Sequence, residues 1–347
     1  MEETLIEDIE SEEITYRFEI TSYGADYPVD AIIKRIKDDV IYVPPFQRKF
    51  VWSIEQASKF IESLILGLPV PGIFLSKESK SNRLLIVDGQ QRLLSLFSFY
   101  EGNFKGKEFK LTGLKSDING KKYKNLNASD KIRLDDSIIH ATIVRQDEPD
   151  DEESSIYLIF ERLNTGGKLL TAQEIRACIY YGEFNELLNK LKNNTDWRKV
   201  FGAENERLKE QELILRFFAL YYERNKYQKP LKSFLNKFMY KNRDFEKYSE
   251  SDLSNLFENT IKPISVLFGS KAFRIGRPFN AAAFDAIMVG LAERLKKGRV
   301  EHESLIQAYN ELIKSKEFIE NTKGGTSDEK SIEERMNLAI KTFSTIA

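Results

Sequence analysis

One cysteine and two histidines in 347 residues set the first limits on this chain. Cys178 on its own forms no intramolecular disulfide and no multi-cysteine zinc site, which fits a reducing compartment, and its helical surroundings mark it as core. His140 and His302 are too few for an HNH nuclease, whose base and metal ligands include several histidines. Neither has a partner motif beside it, and His140, in the alternating IIHATIV, reads as a packed strand residue. An excess of one charge is missing too. The net charge is -1 and the pI about 6.3, so any nucleic-acid contact has to come from a local patch. No apolar run is long enough to span a membrane. The start, with Glu2, Glu3, Glu7 and Asp8, is the opposite of a signal peptide's basic region, so a cytoplasmic protein is expected.

What is present is 41% hydrophobic sequence, enough for one large core or two modest ones, and two domains are expected. The organising stretch is RLLIVDGQQRLLSLFSFY, residues 83–100. Leu84 to Val87 are four consecutive aliphatics before a turn residue, the pattern of a short strand covered on both faces. Asp88 ends it and Gly89 permits a sharp reversal. Asp88 with Gln91 three residues on has the form of a capping box, so a helix should start here. Leu93, Leu94, Leu96, Phe97 and Tyr100 are its buried stripe. Such a junction aims free N–H groups and the positive dipole end at one spot, which suits phosphate, and Gln90, Gln91 and Arg92 add donors. For an isolated D-G-x-x-R, a plain cap and a solvated arginine are the better reading.

Before this stretch, residues 1–22 read as an acidic tail or edge segment. Val29, Ile32, Ile33 and Ile36 recur at helical spacing, and Ile41 to Val43 form a short strand. The segment PPFQRKFVW follows. Its two prolines forbid helix and hold Gln47 and Arg48 on a defined loop between aromatics. A surface loop pinned by those aromatics and a binding loop are equally good local readings. Ser53 and Gln56 cap a helix that Gly67 stops, and Ile73 to Leu75 form a strand. Residues 101–127 read as a hairpin-rich insertion, Asn127 to Asp136 as a short polar helix, and Ser137 to Gln146 as another strand. The acidic turn DEPDDEE leads into a helix over 154–164, where negative charge is favourable. The helix ends in a turn with Asn164, Gly166 and Gly167; Glu161 and Asn164 are candidates to face a ligand, and a C-cap Asn before a Gly turn is an equally good local reading. Thr171 and Glu174 cap the next helix.

From Ala172 onward the periodicity is almost wholly helical. The expected architecture is α+β: a small mixed sheet with helices over 23–175, then an all-helical domain over 176–347. Within the latter, Lys229, Lys232, Lys237, Lys241 and Arg243 interleave with Tyr227, Phe234, Phe238 and Tyr240, the best candidate for phosphate and base contact. An amphipathic helix with an aromatic core face and a lysine-rich outer face is favoured over that reading.

Taken together, VPPFQRKFVW, DGQQR and FERLNTGGKLLTAQEIR resemble the N-terminal domain family of GmrSD-type restriction enzymes, itself similar to the ParB and sulfiredoxin superfamily. The likeness covers about residues 25–240. It implies a ParB-like domain that binds and hydrolyses a nucleoside triphosphate (GTP, ATP or CTP) with Mg²⁺ through Gln47, Arg48, Asp88, Gln90, Gln91 and Arg92. Gly89, Asn164, Gly166 and Gly167 would lie around the nucleotide, and Asp88 and Glu161 near the metal. Such chemistry needs positioning and charge neutralisation rather than a covalent nucleophile. Glutamines stand where sulfiredoxin has its cysteine, so that activity is not expected. The chain also lacks the HNH motif that many restriction members carry.

The implied function is a defence protein that senses foreign or modified DNA and works with a separate nuclease or effector protein, without a membrane; an oligomer is compatible. A non-catalytic DNA- or protein-binding module and a ParB-like DNA nickase are the alternatives.

Overall fold

The computed structural model describes residues 19–43, 50–78, 81–148, 154–163, 170–205, 207–275 and 278–346. They form an α+β chain, a mixed sheet with helices and then an all-helical region. Two compact units divide it: a sheet unit within residues 16–170 that also takes in Ala177–Ile179, and a helical unit of Thr171–Arg176 and the residues from Tyr180 onward.

The sheet unit runs β1 (Glu19–Pro28), α1 (Val29–Lys37), β2 (Ile41–Tyr42), α2 (Ile54–Ile65), β3 (Ile73–Lys77), β4 (Leu84–Asp88), α3 (Gln90–Glu101), β5 (Asn103–Phe104), β6 (Lys107–Glu108), α4 (Ala128–Asp135), β7 (Ile138–Glu148) and α5 (Ser154–Leu163). The five-stranded sheet has the order β1-β7-β3-β4-β2, and β5 and β6 make a separate hairpin. β1 with β7 and β3 with β4 are antiparallel, while β7 with β3 and β4 with β2 are parallel. One face, carrying Ile73, Leu75, Leu84, Ile86, Ile139 and Ile143, meets the apolar stripes of α1 to α4 in a single core. Ser53 caps α2 in the expected box, its hydroxyl accepting from Gln56 N–H and Gln56 reaching back. Asn127 caps α4.

Two expectations change. Residues 19–22, expected to belong to a tail or edge segment, join 23–28, for which no strand was expected, in a ten-residue edge strand. Ile20 and Tyr23, on opposite faces, are both exposed, so no clean alternation marks it. At the organising turn, Asp88 does not cap α3. Gly89 is the N-cap at φ 97° with no side-chain cap, while Asp88 is the last residue of β4 and bonds Arg92.

The helical unit contains α6 (Ala172–Ile179, last turn in the sheet unit), α7 (Glu183–Leu191), α8 (Thr195–Phe201), α9 (Lys209–Glu223), α10 (Leu231–Lys241), α11 (Glu250–Phe268), α12 (Ala281–Leu295), α13 (His302–Lys314), α14 (Lys316–Glu320) and α15 (Glu329–Ser344). Thr171 and Glu174 form the expected capping box of α6. Its core carries buried charge. Arg176 donates to Asn236 Oδ1 at 2.8 Å and to Glu212 Oε2 at 2.8 Å, tying α6 to α9 and α10. Arg216 forms a two-pronged bond with Asp285 at 3.2 and 2.6 Å. Arg335 lies beside the same carboxylate at 3.6 Å and donates to the Thr326 carbonyl at 2.5 Å. Cys178 is buried, as its helical setting implied. Among the described residues no helix is long and apolar enough to cross a membrane.

Candidate functional site

The junction of β4 with α3 is built around one glycine. A Cβ on Gly89 would stand 2.4 Å from Ile73 Cγ2, and the φ of 97° is one that L residues rarely adopt. Only glycine lets the chain reverse this tightly against β3. The reversal starts a twelve-residue helix whose N-cap residue, Gly89, makes no side-chain cap hydrogen bond.

Arg92 sits one turn into that helix, its side chain 15% exposed. Its guanidinium grips three oxygens: Nη2 bonds Asp88 Oδ2 at 2.6 Å, and Nη1 bonds the carbonyls of Pro71 and Gly72 at 2.6 and 2.5 Å. The rigid fork therefore clamps the loop before β3 onto the end of β4. The Asp88 side chain is 42% exposed and carries a paired charge. Sequence alone put Arg92 among donors awaiting phosphate; Pro71 and Gly72 as its acceptors had no sequence signal beyond a Pro-Gly turn.

Gln91 is also committed. Its Oε1 accepts from the N–H groups of Val51 and Trp52 at 2.9 and 3.1 Å. That bridges forty positions of sequence and fastens the end of the PPFQRKFVW stretch to the first turn of α3. The same stretch is pinned elsewhere. Phe50 packs edge-on against Phe104, Trp52 against Phe60, and Lys105 Nζ donates to the Trp52 carbonyl at 2.9 Å. Gln90 is half-buried at the start of α3. Gln47 and Arg48 lie outside the described residues, as do Asn164, Gly166 and Gly167.

Glu161 is exposed near the end of α5, and α5 packs on β4 and β7. Among the described residues no group of three His, Cys, Asp or Glu side chains could hold a metal ion. Where Mg²⁺ takes most of its ligands from phosphates and water, one or two carboxylates suffice. Asp88 fits that requirement as a single ligand, with its charge shared by Arg92.

His140 is not packed in the core. Ile139 and Ala141 take the core face of β7, leaving His140 outward, its side chain 71% exposed, with Nδ1 2.5 Å from Asp26 Oδ1. Sequence reasoning missed this pair because its partner lies in the strand it did not find.

In the helical unit, the basic segment takes its aromatics inward. Tyr227, Phe234 and Phe238 are buried and Tyr240 is half-buried. Lys229 pairs with Asp328 at 2.5 Å, Lys247 with Glu223, and Arg243 Nε donates to the Tyr181 carbonyl at 2.6 Å. Lys232 and Lys237 are half-buried and Lys241 is exposed on α10. The amphipathic-helix reading accounts for these positions.

Residues 29–181 match the family described as the GmrSD restriction endonuclease, N-terminal domain. No curated protein matches the chain.

Proposed function

We propose, with a GmrSD-type N-terminal domain over residues 29–181 as the premise, that the chain is a restriction-like defence protein. Its sheet unit, ParB-like in this reading, binds and hydrolyses a nucleoside triphosphate with Mg²⁺. The protein acts on foreign or modified DNA through a separate nuclease or effector. The observation that carries this reading is the Gln91 bridge to Val51 and Trp52, which fastens the last residues of the PPFQRKFVW stretch to the DGQQR turn.

Electrostatics support it. A helix start directs N–H groups and a positive dipole end at phosphate. Arg92 offsets the charge of Asp88, so the turn does not repel an anion. In this reading Arg92 shapes the loop, Gln47 and Arg48 contact phosphate oxygens, and Gln90 orients water. Asp88, with Glu161 as a second candidate, holds Mg²⁺, whose contribution when bound is to neutralise phosphate charge. Asn164, Gly166 and Gly167 complete the nucleotide's surroundings.

One observation favours the non-catalytic alternative: the Arg92 fork is already engaged by protein oxygens. The test is phosphate release from ATP, GTP and CTP with Mg²⁺, with and without duplex DNA, for wild type, Gln90→Ala and Arg48→Ala. Turnover in the wild type that falls at least ~10-fold in both variants is expected from lost transition-state donors. Absence of turnover for every nucleotide, with DNA or without, would leave the binding module.

A further inference from the structure

The register of the sheet is irregular at the end of β4. β3 and β4 pair Leu75 with Ile86 and then Phe74 with Asp88, so one extra residue, Val87, is accommodated in β4. Without that bulge, Asp88 would follow Leu84 and Ile86 onto the core face, since strand side chains alternate. The bulge re-aims it to the face of Phe74. Thr142 pairs with Phe74, and His140, two residues earlier on β7, shares that face. Asp26 lies directly opposite His140 on β1. Asp26, His140 and Asp88 therefore stand on one face of the sheet, across four adjacent strands.

The loop gripped by Arg92 lies between them. A Cβ on Gly72 would meet the His140 carbonyl oxygen at 2.8 Å and His140 Cβ at 3.5 Å, while the Gly72 carbonyl accepts from Arg92. Glycine at 72 allows this close approach. From β7 to β4 is two strand spacings, and with the two-residue offset the His140 and Asp88 Cα atoms are on the order of 10–12 Å apart. An imidazole and a triphosphate chain bridge that distance.

We propose that Asp26 and His140 form the general-base pair for hydrolysis of the nucleotide held at the start of α3, an inference that rests on the nucleotide reading above. The Asp26 carboxylate, 2.5 Å from Nδ1, holds the tautomer with the proton on Nδ1 and the lone pair on Nε2. Nε2 faces away from Asp26 on a side chain open to solvent. It takes a proton from water as the water oxygen bonds the terminal phosphorus. The P–O bond to the nucleoside diphosphate breaks and the diphosphate leaves with that electron pair. Asp26 stabilises the imidazolium until its proton passes to solvent. Bases of this kind contribute about 10²–10⁴-fold. The two histidines of this chain are thus enough, because the pair needs only one.

An exposed pair contributes little to stability, so His140→Ala and Asp26→Asn remain folded and their kinetics report on chemistry. The experiment measures Mg²⁺-dependent phosphate release and binding of mant-labelled ATP and GTP for wild type, His140→Ala, Asp26→Asn and Arg48→Ala, with imidazole added to His140→Ala. The expected result is kcat lowered by about 10²-fold or more in His140→Ala, mant-nucleotide affinity unchanged, activity partly restored by imidazole, and a smaller loss in Asp26→Asn. A His140→Ala kcat within about 2-fold of wild type, far short of a general base's contribution, with Arg48→Ala inactive, overturns the pair and spares the nucleotide reading. Lost activity that imidazole does not restore, with weaker mant-nucleotide binding, also overturns the base role. A wild type that neither binds nor turns over any nucleotide removes both.

Discussion

Arg92→Ala is the obvious way to disable the DGQQR turn, and the geometry predicts that it does more than that. The guanidinium donates to the carbonyls of Pro71 and Gly72 and to the Asp88 carboxylate. Hydrogen bonds from a charged donor to carbonyls are worth about 1.5 kcal/mol each at the low end, and here the Gly72 bond is part-buried and the Pro71 bond exposed. The ion pair, with Asp88 42% exposed, adds only about 0.5–1 kcal/mol. Truncation should therefore destabilise the sheet unit by roughly 3–4 kcal/mol, a large part of the 5–15 typical of a domain. Arg92→Lys should recover little, since an ammonium cannot fill three divergent directions of a fork.

The assay is built into the chain. Its two tryptophans fall one in each unit, Trp52 in the sheet unit and Trp197 in the helical one. In a Trp197→Phe background, urea unfolding followed at Trp52 isolates the effect. An Arg92→Ala midpoint equal to wild type, together with lost phosphate release, would refute the clamp and return Arg92 to the role of phosphate donor.

Gly89→Ala should destabilise the same unit by about 2–5 kcal/mol, combining left-handed strain with overpacking against Ile73; urea unfolding at Trp52 checks it. Tyr100 and Tyr123 both donate to Asp135, and burial, reinforced by that carboxylate, pushes the Tyr123 phenol up to about 12. Its stabilising contribution is complete below about pH 10, the ordinary tyrosine value, and is lost as pH rises through 12, so Tyr123→Phe should flatten the alkaline fall in the stability of the sheet unit. In the helical unit, Arg335 is wholly buried, and its Nε and Nη2 have no hydrogen-bond partner among the described residues. Arg335→Met should be neutral or stabilising by about 1 kcal/mol, since Arg216 still pairs with Asp285; a loss at Trp197 above about 2 kcal/mol contradicts this. Phe238→Ala should cost about 3–5 kcal/mol as a core truncation. Weakened DNA binding with intact stability would instead make that ring a stacking platform.

Features specified within a few residues could be read from the sequence. Ser53 with Gln56 and Thr171 with Glu174 close capping boxes whose partners are three positions apart, and both form as expected. Asp88 with Gln91 has the same spacing and does not form one. Arg92, four residues from Asp88, competes for the carboxylate, and the backbone of Val51 and Trp52 competes for Gln91. Distance in sequence hides the second competitor entirely. α8, seven residues with only Trp197 and Val200 buried, carries too little pattern to give its own bounds in sequence. At His140 the alternation was right and the face was not, because Ile139 and Ala141 form the inward set.

The last of these errors has the same origin as the bulge. Alternation gives two sets of side chains and leaves open which set the core takes, and a single extra residue exchanges them. Leu84 to Val87 look uniform, since all four are buried, so nothing in their pattern marks Val87 as the residue where β4 changes face. What marks it is the demand at either side. Gly89 must reverse against Ile73, and Gly72 must pass close to His140. Each removes a Cβ where two backbones converge, and each lies at the edge of the Arg92 clamp. The glycines and the bulge act together at one end of the sheet, where a carboxylate and a histidine share a face beside the start of α3. That is why the residues most informative about chemistry here are ones with no chemistry of their own.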